Sequence, residues 1–322
     1  MPDGLLYAML LDGKGGGRTL TWSEVEQWQA DQGLLWLHFD ITREAAAKWI
    51  VEEGRMDDVI AEAMVHEENR PRATAHGDGL MLSLRGVNLN PGADPEDMVS
   101  IRLWVEPRRI ISTRRRKLLS VGDMVKWLEA GEGPQDAPQF IFELTERMIE
   151  RMVDVMDMTQ DQVDAFEERL LLEQTPELRA DLSQLRRQLV GLRRYLAPMR
   201  EALNRLQTER LTWITSAERL QLRELSDRLA RLLEELDMAR ERSALIQEQL
   251  TSALSDQLNH RLYVLSVVAA IFLPLSFLTG LFGINVGGIP GASYGWAFLI
   301  FVVALLFIMV GQLWLFKRNN WL

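Results

Sequence analysis

The chain carries 46 acidic and 36 basic residues among 322, a net charge of −10 at pH 7, and no cysteine. The acidic balance argues against a nucleic-acid partner, and the lack of cysteine excludes a disulfide framework and a thiolate metal site. The length allows one sizeable core plus extended helices.

Residues 1–130 read as an α/β domain. Strands are predicted over 5–11, 34–40, 80–88, 99–106 and 109–113, separated by the turn chemistry of Gly13–Gly17 and Asn90-Pro91-Gly92. Helices are predicted over 22–32 after a Thr21 cap, over 42–53 and over 57–67. The first twelve residues lack the basic n-region of a signal peptide, so this domain is expected to stay in the cytoplasm.

Residues 131–215 change character and read as two long cytoplasmic helices, 138–172 and 176–207, with a stop at Thr175-Pro176 and a kink expected at Pro198. From Ser216 the pattern is nearly unbroken to Phe282, with apolar residues at Leu222, Leu225, Leu229, Leu232 and Leu236. A helix of about 65 residues rises roughly 100 Å, which suits a stalk entering a membrane better than a globular helix.

The runs 262–282 and 295–316 contain no formal charge and are each long enough to span a hydrocarbon core. His260 and Arg261 precede the first, Lys317 and Arg318 follow the second, and the loop 283–294 carries no charge. The positive-inside rule places the loop outside and both termini, including the tail 317–322, in the cytoplasm. The expected class is therefore an α+β cytoplasmic domain with a long stalk helix and a two-helix transmembrane hairpin.

Steps of three and four along the stalk and first span give Ser255, Asn259, Leu262, Ser266, Ala269, Leu273, Ser276 and Gly280. The other faces are bulkier, with Tyr263, Val267, Ile271, Leu275 and Phe282. A stripe of small and hydroxyl residues serves close helix packing, or lines a pore when several copies surround an axis. Pro274 frees the carbonyl of Ala270, which must be satisfied or face a wet cavity, and the plainer reading is a tolerated bend. Gly283, Ile284 and Asn285 follow the span. A ring of Asn285 amide oxygens can hold a hydrated cation at the outer mouth, whereas the plainer reading is a helix cap and turn.

Other candidates are weaker. The four histidines lack His-x-x-x-His spacing, and His38 shares a strand face with Asp40 as a weak metal or proton site. Asp237, Glu241, Glu248 and Asp256 can draw cations along the stalk, against a default of a solvated face. The basic run Arg114-Arg115-Arg116-Lys117 suits phosphates or a charged turn. There is no Walker sequence and no nucleophile–base arrangement, so an enzyme is not expected.

The sequence Pro274-Leu275, then Thr279-Gly280-Leu281-Phe282-Gly283-Ile284-Asn285, with two C-terminal spans, resembles the CorA metal ion transporter family. Ile284, where most members have Met, and the loop Val286-Gly287-Gly288-Ile289-Pro290-Gly291 look like its ZntB zinc-transporter branch. Glu67-Glu68-Asn69-Arg70-Pro71-Arg72, His76-Gly77-Asp78-Gly79 and Arg85-Gly86-Val87-Asn88-Leu89-Asn90 extend the likeness over nearly the whole chain.

The resemblance implies a funnel-shaped homopentamer in a bacterial inner membrane, with the first span lining the axis. Asn285 with Gly283 then forms the outer selectivity site, and Asn259, Leu262, Ser266, Leu273 and Ser276 line the conduit. It implies Zn²⁺ as transported substrate, with Mg²⁺, Co²⁺, Ni²⁺ and Cd²⁺ as alternatives, protons as co-substrate, and no permanently bound cofactor. The loop lacks the acidic residue of many magnesium-type members, and the path has no thiol or imidazole, so zinc is expected to pass largely hydrated. A magnesium or cobalt channel, or a membrane-anchored sensor, are the competing readings.

Overall fold

A mixed sheet of seven strands organises the first part of the chain in the computed structural model, which describes all residues except 68, 69, 173, 174, 284–288, 290, 292, 293 and 320–322. The strands are β1 (Leu5–Leu11), β2 (Gly17–Thr19), β3 (Leu34–Asp40), β4 (Arg72–His76), β5 (Gly79–Gly86), β6 (Val99–Glu106) and β7 (Arg109–Arg114). Their spatial order is β2-β1-β3-β7-β6-β5-β4. β3 and β7 pair in parallel, and the other neighbours are antiparallel.

Both faces of this sheet are covered, which explains why β5 is buried at every residue, Ser83 and Arg85 included. On one face Leu35, Leu37 and Phe39 pack with Ala46 and Ile50 of α2 (Glu44–Glu52) and Ile60 and Met64 of α3 (Asp58–Val65). The alternating residues Trp36 and His38 point the other way. There the Trp36 ring meets Phe140 of a long helix, Ala137–Leu172, with centroids 4.9 Å apart.

Several elements differ from the sequence expectation for identifiable reasons. The helix expected over 22–32 ends early. α1 (Trp22–Gln27) is opened at its N-terminus by a capping box in which the Thr21 amide donates to Glu24 Oε2 at 2.7 Å. Trp28 is then extended, and a 3₁₀ turn Ala30–Gln32 leads to Gly33 at φ 135°. A Cβ at Gly33 would lie 2.5 Å from the Leu11 carbonyl oxygen, so only glycine fits. α2 starts at Glu44 because Asp40 Oδ1 accepts from both the amide and the hydroxyl of Thr42, at 3.0 and 2.6 Å. α3 stops at Val65, where Arg102 and Thr113 donate to the Met64 carbonyl at 3.3 and 3.0 Å. Three elements are additional to the expectation: the edge strands β2 and β4, and α4 (Leu119–Ala130).

The long helices are α5 (Ala137–Leu172), α6 (Pro176–Thr208) and α7 (Ser216–Gly283). In α6 Leu178, Leu182, Leu185, Leu189, Leu192, Leu196, Met199, Leu203 and Leu206 are buried, with Pro198 and Ala202 buried beside them. The strict alternation of four and three is a heptad seam, and it keeps its register through Pro198. α7 repeats it at Leu222, Leu225, Leu229, Leu232, Leu236, Ala239, Ser243 and Ile246. Ion pairs cross between helices outside these seams. Arg228 reaches Glu146 at 2.9 Å, Arg193 reaches Asp237 at 2.7 Å, and Arg242 forks onto Glu167 at 2.9 and 2.8 Å.

The chain divides into two compact units, Met1–Glu248 and Gln249–Leu322. The second holds the C-terminal part of α7 and the helix α8 (Ala297–Arg318). Both helices contain stretches long and apolar enough to cross a membrane, with none of either stretch buried.

Candidate functional site

The two apolar helices meet along a defined face. Val267, Ile271, Leu275 and Leu278 of α7 are half-buried in an otherwise exposed stretch. On α8 the matching half-buried positions are Ala297, Phe301, Leu305, Met309, Gln312 and Phe316. Near the C-terminal end of α7 the rings of Phe282 and Phe301 lie 5.2 Å apart. Large apolar side chains thus select which side of α7 turns towards α8.

The predicted stripe lies on the other side. Asn259, Leu262, Ser266, Ala269, Leu273, Ser276 and Gly280 are all exposed. At about 100° per residue their midline falls about 180° around α7 from the face turned to α8. Leu262 and Leu273 are 60% and 69% exposed, and a Cβ built at Gly280 would touch nothing within 4 Å. The stripe is therefore not spent on packing the hairpin. Asp256 is exposed too, but the same geometry puts it about 120° around from the stripe's midline.

Hydroxyls in the span are partly engaged by the helix itself. Thr279 Oγ1 donates to the Ser276 carbonyl at 3.0 Å, a bond that serves a backbone oxygen in an apolar setting. α7 runs through Pro274 to Gly283, whose backbone stays helical instead of opening a left-handed turn. Ile284 and Asn285 lie outside the described residues.

Sequence patterns missed two features of α8. Gln312 is polar within a span, and its Oε1 is enclosed with no hydrogen-bond partner. An apolar cleft of 790 Å³ lies between the hairpin helices, lined by residues such as Leu278, Phe282, Ala297 and Phe301. Its lining is mostly apolar and carries no charged group.

The remaining candidates are bound up in structure. His38 is fully buried, its Nδ1 2.7 Å from Ser112 Oγ and its ring stacked on Tyr7. Burial pushes its pKa down to about 3, helped by the nearby Arg114 charge. It cannot meet a hydrated ion, and Asp40 is engaged with Thr42 instead of sharing a site with it. Asp237 is held by Arg193 at 2.7 Å and Arg240 at 2.9 Å, and the Arg193 guanidinium keeps its carboxyl below the usual range. His76 faces Asp57 at 3.5 Å. In the basic run, Arg115 donates to the Val65 carbonyl at 3.3 Å and Arg116 pairs with Asp97. Among the described residues no three His, Asp or Glu side chains converge as a metal site.

Comparison with known proteins agrees with this architecture. The chain is 36% identical over 317 residues to the zinc transport protein ZntB of Yersinia enterocolitica, covering 98% of this chain and 96% of that one. It is 38% identical over 324 residues to the divalent cation transporter CmaX of Pseudomonas aeruginosa, covering 99% and 97%. The structure of full-length CmaX superposes with a TM-score of 0.86 at 37% identity, covering 100% of this chain and 99% of that one. The CorA magnesium transporter of Methanocaldococcus jannaschii shares the fold, with a TM-score of 0.82 at 15% identity and coverage of 98% and 99%. The family model described as CorA-like Mg2+ transporter protein matches residues 31–318, and the chain belongs to that family.

Proposed function

We propose that the protein carries divalent metal cations, zinc foremost, across a bacterial inner membrane through an axial path lined by α7. The observation that carries this reading is the placement of the small-residue stripe opposite the face turned to α8. Such a stripe is free to surround an axis only when several copies assemble, since one hairpin cannot enclose a water-filled path. A closed ring satisfies that need, and we take it to be a homopentamer with both termini in the cytoplasm. The similarity to a zinc transport protein and to a divalent cation transporter supports the class of substrate.

Asn285, with Gly283 and Ile284, forms the outer mouth in this reading. Its amide oxygens accept hydrogen bonds from the ion's water shell and leave the shell in place. Below it, Ser276 and Ser266 offer hydroxyls to the hydrated ion. Leu273 and Leu262 form apolar rings that close the path by excluding water. Asn259 sits at the cytoplasmic end, and Asp256 contributes negative charge near it. From 261 to 319 the chain has no thiol, imidazole or carboxylate, so nothing there replaces the inner hydration shell of zinc. Protons as co-substrate then move through water and not through a titrating side chain in the span.

The test is ion flux into proteoliposomes of the purified protein, with zinc, magnesium and cobalt compared with and without a pH gradient. Zinc entry that follows the gradient and is lost in Asn285→Ala is the expected result. Magnesium flux indifferent to the gradient moves the protein to the channel reading, and no flux of any ion leaves a sensor.

A further inference from the structure

α8 carries a second stripe, on the side away from α7. Val303, Phe307, Val310 and Trp314 recur at steps of four, three and four and are 44%, 75%, 58% and 59% exposed. At about 100° per residue this line falls about 180° around α8 from the positions that face α7. It ends in charge. Lys317 and Arg318, both exposed, flank the continuation of the stripe one on each side, and the Arg318 guanidinium lies 5.3 Å from the Trp314 ring centroid. Arg261 of α7, also exposed, stands at the same end of the antiparallel hairpin.

The charge around this end is one-sided. From Gln257 to Leu322 the chain contains no aspartate or glutamate, and the nearest side-chain carboxylate in sequence is Asp256, five residues before Arg261. Lys317 and Arg318 have no ion pair among the described residues, unlike Arg193, Arg228 and Arg242 in the long-helix bundle. An exposed apolar line about 16 Å long, roughly the hydrocarbon depth of one leaflet, capped by an indole and then by two cations without an ion pair among the described residues, matches one kind of molecule. It fits an acyl chain along Val303–Trp314 with a phosphate at the basic end.

We infer that Trp314, Lys317 and Arg318 form a binding site for an anionic phospholipid of the cytoplasmic leaflet, with its acyl chain along Phe307 and Val303. Zwitterionic lipids fill the same apolar line but gain little from the cations, because their own ammonium group offsets the phosphate. The site rests on the membrane-spanning reading of α8 and is independent of which ion is carried.

The test is native mass spectrometry of the full-length protein in detergent with equimolar phosphatidylglycerol and phosphatidylcholine. Wild type is expected to retain phosphatidylglycerol selectively, and the preference is expected to fall roughly five-fold for each charge removed in Lys317→Gln and Arg318→Gln. Arg318→Lys keeps most of it, and added salt weakens it in the unaltered protein. The salt series stands as a second test should the glutamine variants fail to assemble. Equal retention of the two lipids by wild type overturns the site and gives the stripe to a neighbouring copy. Displacement by glycerol phosphate at the same concentration as lipid also overturns it, since the site would then read a soluble anion. Zinc flux measured on the same preparations separates failure of this site from failure of the transport reading.

Discussion

Phe282 and Phe301 meet with ring centroids 5.2 Å apart and planes tilted by 59°. That contact continues the half-buried line Val267–Ile271–Leu275–Leu278 and fixes the rotation of α7 against α8. With the bulky side committed to the hairpin, Ser266, Leu273 and Ser276 point elsewhere.

Leu273 is the more exposed of the stripe's two leucines, at 69%. If a ring of leucines closes the path by dewetting, a hydroxyl in its place lets water through. Leu273→Ser is therefore expected to raise zinc flux in resting proteoliposomes by about ten-fold or more. Ile271→Val, on the face turned to α8, leaves that leak unchanged.

His38 makes the first unit sensitive to acid. Burial holds its folded pKa at about 3, below the ordinary histidine value of 6.5. The unfolded chain therefore binds a proton that the folded chain refuses, and stability rises with pH across that window. The contribution is complete above about pH 6.5 and is lost progressively as pH falls towards 3. Thermal melts from pH 7 to pH 4 should show a shallower fall for His38→Gln than for wild type. The glutamine variant is expected to melt lower at pH 7, because the Ser112 contact is disturbed.

Gly79 sits against the Trp104 ring so closely that a Cβ would fall 2.2 Å from it. Gly79→Ala is expected to cost about 1–3 kcal/mol through overpacking. Trp104→Phe removes the far ring atoms, so the double variant should lose less than the two single losses added together. Denaturant melts of the four proteins give the coupling directly.

The heptad seams and the ion pairs of the long helices should differ in weight. Leu189 is fully buried in the α6 seam, and Leu189→Ala is expected to cost about 2–5 kcal/mol. Arg242 forks onto Glu167 and reaches Asp164, but both partners are largely solvated. Arg242→Gln is expected to cost at most about 1 kcal/mol, and less in high salt. Chemical denaturation at low and high salt separates the two.

Much of this architecture was legible because the signals were local and strong. Strands 5–11, 34–40 and 99–106 were bounded by glycines, prolines and polar turns, and the seam of α7 needed only leucine spacing. β4 escaped because an edge strand reading Arg-Ala-Thr-Ala-His buries little beyond Ala73. α4 escaped because Gly122 interrupts its pattern and Leu118 supplies no side-chain cap. His38 was misread for a related reason. Alternation shows which residues share a face, but not that α5 covers the second face of the sheet. The same limit holds for α7, where the sequence showed two kinds of face and only the position of α8 decided between them. Asn285 was singled out by its place after the span, and it lies outside the described residues.

The chain has no native cysteine, so the central claim can be tested without background labelling. Single cysteines at Ser266, Ser276, Ile271 and Leu275 would be treated with a water-soluble, membrane-impermeant thiol reagent in the assembled protein, and zinc flux followed. The account predicts that Ser266→Cys and Ser276→Cys are modified and lose flux, while Ile271→Cys and Leu275→Cys are neither modified nor blocked. Modification confined to the latter pair, or equal at all four positions, would contradict an axial path lined by the stripe.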